Sequence, residues 1–209
     1  MRVGLPLALP MVLIGASFGV VAARAGWGAV ATITMSLLTF AGAAQVVVVS
    51  VLAAGGSVVA AVVGGMLVNA RFLAVGIAIG PHLRGGVVRR ALLGQAITDA
   101  ALVLARLGAG GYGVRRMLGS AAPQWLGWQA GTVLGVLVAP AIHDPARYGI
   151  DSLFPAFFLI MLMRELRTRP SQATAVLAGA IALAALPVAA PGVPVIVACA
   201  AVVVGVVWR

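Results

Sequence analysis

SLLTFAGAAQVVVVS, residues 36–50, lies inside a long run without charge, and its reading decides the fold. A segment that only had to cross a bilayer would have no use for Gly42, which weakens a helix, or for Gln45, whose amide needs hydrogen-bond partners in a dry place. Two readings stand. Either Phe40 to Gln45 is a helix break near the membrane centre, where freed backbone groups and Gln45 meet a polar ligand, or Gly42, Ala43 and Ala44 are the small residues of a tight helix crossing.

Outward from this stretch, the charge-free run reaches from Ala25 to Ala70, with a hinge expected at Gly55-Gly56-Ser57. A span needs about 20 apolar residues, so the run holds two, the second continuing from Val58 toward Gly80 with Asn69 and Arg71 inside it. The whole chain has this character. Of its 209 residues 63% are hydrophobic and 9% charged, where a soluble domain has about 25% charged, so the sequence specifies an all-α polytopic membrane protein. The net charge of +10 would suggest nucleic acid in a soluble chain. Here the basic residues, all arginine, sit in short clusters between apolar runs and set orientation instead, and no nucleic-acid partner is expected.

Further spans are expected at Leu5–Ala23, Ala121–Ile142 and Ser152–Met163, with two more divided by the turn Pro187 to Pro194. The N-terminus has the outline of a signal peptide but is expected to remain as the first span. Trp27, Trp125, Trp128 and Trp208 fall near span ends, where an interfacial aromatic belt would place them. If the basic loops at 84–90, 106–116 and 164–169 face the cytoplasm, the short Ala91–Ala105 segment dips in and returns or lies flat. That gives seven crossings, with the N-terminus outside and the C-terminus inside. A full crossing at 91–105 would make eight and divide the arginines badly.

An internal echo accompanies this layout. Gly15-Ala-Ser-Phe-Gly19-Val20 returns as Gly131-Thr-Val-Leu-Gly135-Val136, and at the same offset Ser36-Leu37-Leu38 returns as Ser152-Leu153-Phe154. Two halves of inverted topology are expected, about 5–83 and 121–209, joined by 84–120 within one transmembrane domain. In transporters built this way the site lies where corresponding segments are short or interrupted. Here the interruptions are at Ala41–Ala43 and at Pro155.

Ionisable residues within spans are functional candidates because each is costly unless paired or hydrated. Arg71, beside Asn69, could hold a carboxylate bidentately or snorkel to the interface near His82 and Arg84. Asp99 could carry a coupling proton or hold an amine; it could equally pair with Arg71, Arg90 or Arg106. Asp151 suits a helix N-cap, and His143 beside Asp144 a solvated loop. Gly15-Ala-Ser17-Phe-Gly19 fits the G-x-S-x-G pattern of some hydrolases, but lies within a helical segment with no histidine placed opposite, so helix packing explains it better. The lone Cys199 excludes internal disulfides. With no metal-ligand cluster and no phosphate loop, no cofactor is expected.

Phe40 to Gln45, Val68-Asn69-Ala70-Arg71, Thr98-Asp99 and GIDSLFPAFF at 149–158, in this order, resemble the AzlC-type branched-chain amino acid exporters over essentially the whole chain. The resemblance implies the larger subunit of a two-component exporter in a bacterial inner membrane, working with a small hydrophobic AzlD-type subunit and no enzyme activity. It implies efflux of valine, leucine or isoleucine, and of methionine, driven by the proton motive force. Ala100 stands where the family often has an acidic residue, and Phe72 where His or Tyr is common. On the residues themselves the site is Phe40, Gly42, Gln45, Asn69, Arg71, Asp151 and Pro155, with Asp99 for the proton. A passive channel or a non-transporting assembly subunit remain the alternatives.

Overall fold

The computed structural model describes residues 5–98, 101, 105, 112–142, 144, 146–149 and 152–201, whose regular elements are α-helices and short 3-10 turns. The helices are α1 (Leu5–Arg24), α2 (Ala29–Leu38), α3 (Gly42–Ala53), α4 (Val58–Asn69), α5 (Arg71–Ile79), α6 (Val87–Gly94), α7 (Val114–Val138), α8 (Leu153–Glu165), α9 (Arg169–Ala185) and α10 (Val193–Ala198). They fall into two units, Met1–Gly42 with Asn69–Pro145 and Ala43–Val68 with Ala146–Arg209.

Where two spans are expected between residues 25 and 80, the chain makes four short helices, α2 to α5. The 10 residues of α2 and the 12 of α3 measure about 15–18 Å each, near half of a hydrocarbon core of about 30 Å. Among the described residues no helix is by itself long and apolar enough to cross a membrane. α1, with 20 residues, and α7, with 25, have the length, and the inner face of α7 carries Ser120, Gln124 and Thr132.

In the first unit, α1 and α7 pack through glycine. A Cβ on Gly15 would stand 2.6 Å from the Trp128 carbonyl oxygen, and one on Gly127 would stand 2.5 Å from that of Ala8. Gly19 faces the backbone of Thr132 and Val136, Gly131 that of Val12 and Ala16, and Gly135 that of Ala16. These residues recur every three or four positions, so they form one stripe on each helix. With no Cβ on that stripe the backbones approach closely, as helices do where lipid removes any hydrophobic drive between them. Large side chains point away instead: Leu9, Leu13, Leu126, Leu134 and Leu137 are exposed. Small and polar inside with large and apolar outside reverses the soluble pattern and suits a lipid surround. Ser17 is buried in mid-helix between Gly15 and Gly19, on a regular helix and not on a nucleophile turn.

The echo lies in this contact. Gly15 touches Trp128 and Thr132, and Gly131 touches Val12 and Ala16, which is the same relation with the helices exchanged. Ala8 lies beside Gly127, Val12 beside Gly131 and Ala16 beside Gly135, so the two helices run parallel. Halves of inverted topology would set them antiparallel, and the expectation of inversion is overturned for this pair. Parallel helices that both cross need an odd number of crossings between them, where the expected layout has two. The starts of α1 and α7 also share a side, so an outside N-terminus does not go with an inside 106–116 loop.

The second unit is built on the α3–α4 hairpin. The expected hinge is there: Gly55, at φ +81, ends α3 with Gly56 N–H donating to Val51 O at 2.8 Å and Gly55 N–H to Leu52 O at 3.0 Å. This pairing satisfies two carbonyls that the helix end releases. Ser57 then opens α4, its Oγ accepting from Ala60 N–H at 3.1 Å. Ser57→Ala is expected to cost about 1 kcal/mol, the usual value of an N-cap, read as a lower melting temperature of the purified protein. Gly64 and Gly65 approach Val47 and Val48 across the hairpin. Buried Val51, Ala60 and Ala61 gather Leu52 and Ile196 around them.

Three other expectations change. Trp128 is buried at 3% exposure and takes no part in an interfacial belt. Pro155 does not interrupt a helix; it is in the first turn of α8, where the missing N–H has no intrahelical partner to lose. The apolar 91–105 segment begins inside α6, which ends at Gly94, and Asp99, Ala100, Leu102, Val103 and Leu104 lie outside the described residues.

Candidate functional site

The break expected in FAGAAQ is present. α2 ends at Leu38, and Thr39 turns to extended backbone at φ −122, ψ 96, with Ala41 N–H donating to Thr39 O at 2.9 Å before α3 begins at Gly42. A helix end releases four carbonyls. Two of those of α2 are taken up: Met35 O accepts from the Thr39 N–H at 2.9 Å and from its hydroxyl at 2.6 Å, and Ser36 O accepts from Gln129 Nε2 at 2.8 Å.

Behind the break lies a closed ring of hydrogen bonds. Trp128 Nε1–H donates to Ser36 Oγ at 2.8 Å, and Thr132 Oγ1 donates to Trp128 O at 2.9 Å. Ser36 Oγ and Thr132 Oγ1 are 3.0 Å apart. Because the Thr132 proton is committed to the carbonyl, Ser36 is the donor in that pair. The ring is buried throughout, and it holds the end of α2 against the middle of α7. Its indole stacks on Phe18 at 5.7 Å between centroids.

The same indole explains Gly42. A Cβ there would meet Trp128 Cη2 at 2.6 Å and Cζ3 at 2.8 Å. The glycine in FAGAAQ stands just after a break, and it leaves room for the edge of a ring rather than for a crossing helix backbone.

Of the other expected site residues, Phe40 is half-buried in the break and Asn69 is half-buried at the end of α4. Arg71 is the first residue of α5. Gln45, in the first turn of α3, is 1% exposed; its Oε1 accepts no hydrogen bond, while the residue is held by another interaction. Pro155 is exposed, and Ser152 holds the N-cap position of α8 without a side-chain cap. Asp99, Asp151 and His143 lie outside the described residues. Gly42 is brought against Trp128, a residue remote from it in the chain.

Sequence reasoning gives Trp128 to an interfacial belt and assigns no role to Gln129, Thr132 or Gln124. Gln124 is 2% exposed, its Nε2 donating to Ser120 O at 2.9 Å. The signal was available, because a glutamine in an apolar run raises the same question at 124 and 129 as at 45. Among the described residues no group of three or more His, Cys, Asp or Glu could hold a metal.

A family model described as AzlC protein matches residues 6–142. The chain is 28% identical over 202 residues to the Inner membrane protein YgaZ of Escherichia coli (strain K12), covering 88% of this chain and 81% of that protein. It is 28% identical over 181 residues to an Uncharacterized membrane protein of Helicobacter pylori (strain J99), covering 85% of this chain and 79% of that one. No solved structure matches.

Proposed function

The chain belongs to the AzlC family and is an inner membrane protein, and on that premise we propose that it exports branched-chain amino acids, valine, leucine or isoleucine, and methionine. In this reading it works with a small AzlD-type membrane subunit and is driven by the proton gradient. The observation that carries the reading is the helix break at Thr39–Ala41, followed within one turn by the buried Gln45.

A zwitterion suits such a place. The free amides at the start of α3, with Arg71, take the carboxylate, Asp99 or backbone carbonyls take the ammonium, and the surrounding Val, Leu and Ala residues take a branched side chain. Phe40 and Asn69 are the further substrate-binding residues of this reading.

The test is efflux of radiolabelled valine and methionine from proteoliposomes holding this chain, with and without the small subunit. The expected result is efflux that stops when the proton gradient is collapsed, and that falls at least tenfold in Gln45→Ala, Arg71→Ala and Asp99→Asn at normal protein level. Flux that follows the substrate gradient alone would mark a channel. No flux with the partner supplied would mark an assembly subunit.

A further inference from the structure

α6 has eight residues, about 12 Å of helix, well short of a bilayer core of about 30 Å. It is held from one side. Leu93 packs on a buried cluster of Ile79, Leu83, Met117 and Ala121, and Tyr112 and Val114 at the start of α7 pack on the same cluster. The opposite face is apolar and open: Val87 is 86% exposed, Val88 74% and Leu92 69%.

Arginines border this face. At 100° per residue Arg89 and Arg90 fall on either side of Leu93. The Arg89 chain lies over Gly85, its Cδ 2.7 Å from where a Cβ would stand, and Arg90 donates to Gly80 O at 3.3 Å. Arg84 precedes the helix, while Arg115 and Arg116 flank Val114 and Met117 of the same cluster; all five arginines are exposed. His82 meets Tyr112 edge to face at 5.6 Å, which ties the loop before α6 to the start of α7. Between residues 80 and 142 the sequence sets these five and Arg106 against Asp99 as its acidic residue, and Asp99 lies outside the described residues.

We propose that the outer face of α6 and this arginine rim form a docking surface for anionic phospholipid. The apolar face enters the acyl boundary, as an amphipathic helix too short to cross does, and the guanidinium groups bind headgroup phosphates. Charge selects the lipid. A zwitterionic headgroup offers a phosphate already balanced by its own cation, whereas an anionic one does not, and each basic residue near such a surface gains about 1 kcal/mol, roughly fivefold in affinity. This surface is independent of which solute the protein carries.

The full chain, purified in neutral detergent, is titrated with phosphatidylglycerol or with phosphatidylcholine, and the lipid retained is measured by mass spectrometry. Phosphatidylglycerol is expected to bind at least tenfold more tightly, and salt of about 0.5 M to remove most of the difference. Arg89→Gln with Arg90→Gln should weaken it roughly 25-fold, at about fivefold per arginine, and Arg115→Gln with Arg116→Gln should do the same. Arg167→Gln with Arg169→Gln, in the second unit, should leave the preference in place. Equal retention of the two lipids, or a preference that survives loss of both arginine pairs, would overturn the proposal. Displacement of the lipid by millimolar inorganic phosphate would also overturn it, by assigning the rim to a soluble anion.

Discussion

Gly131→Ala and Gly135→Ala are each expected to cost about 3 kcal/mol or more, and the leucine variants to leave no folded protein in the membrane. A core that receives an extra group usually loses about 1–3 kcal/mol, because neighbouring side chains turn aside. Here the neighbours are the backbones of Val12 and Ala16, which have no rotamer to change. The added carbon can be accommodated only by parting α1 from α7, and that loosens every contact along the stripe. A matched control exists in Gly179 of α9, where a Cβ would meet nothing within 4 Å. There Gly→Ala should stabilise by up to about 1 kcal/mol through helix propensity alone. Thermal melting in detergent, with the folded fraction after extraction, separates the cases. If Gly131→Ala and Gly135→Ala melt with Gly179→Ala, the close parallel packing of α1 on α7 is wrong.

The second large effect centres on Trp128. Trp128→Ala is expected to cost about 3–5 kcal/mol, the range for removing a buried aromatic, because it opens a cavity against Phe18 and Gly42 and takes the donor from Ser36. Trp128→Phe keeps a ring but loses the N–H, at about 1 kcal/mol for one hydrogen bond. The atoms that crowd Gly42 are Cη2, Cζ3 and Cζ2, on the outer edge of the indole, and phenylalanine does not reach as far. Gly42→Ala should therefore be damaging in the native background and about 1 kcal/mol less so beside Trp128→Phe, a coupling of the size expected for touching residues. Strict additivity of the two substitutions would show that the indole does not lie over Gly42.

How far the chain explains itself is clear from particular residues. α1 was legible almost to its ends, because an apolar run closed by Arg24 and Gly26 leaves little choice. The break at FAGAAQ and the hinge at Gly55 were legible because glycine and an amide are conspicuous in an uncharged run. The purpose of Gly42 was not, since its cause, Trp128, lies 86 positions away in the chain. In a lipid-facing protein, apolarity no longer distinguishes inside from outside, so Trp128 at the edge of a run could as well have pointed to the interface. In the sequence the glycine stripes show only as an echo between halves. Their meaning, one helix seated on the other in the same direction, needed the register of the contact. Gly42 and Gln45 could be read from the sequence, whereas the ring whose indole lies over Gly42 joins three residues from two segments and has no local pattern.

That ring has a bearing on how protons move. An indole nitrogen can only donate and a peptide carbonyl can only accept, so the two hydroxyls between Trp128 Nε1 and Trp128 O have one orientation open to them. Relay along a chain of hydroxyls requires each group to take a proton on one side, release one on the other and then turn back. Turning Ser36 and Thr132 would set the indole N–H against an O–H and leave the carbonyl bare. The ring is thus an insulator, and any proton that accompanies a solute across this protein has to take a route that goes around it.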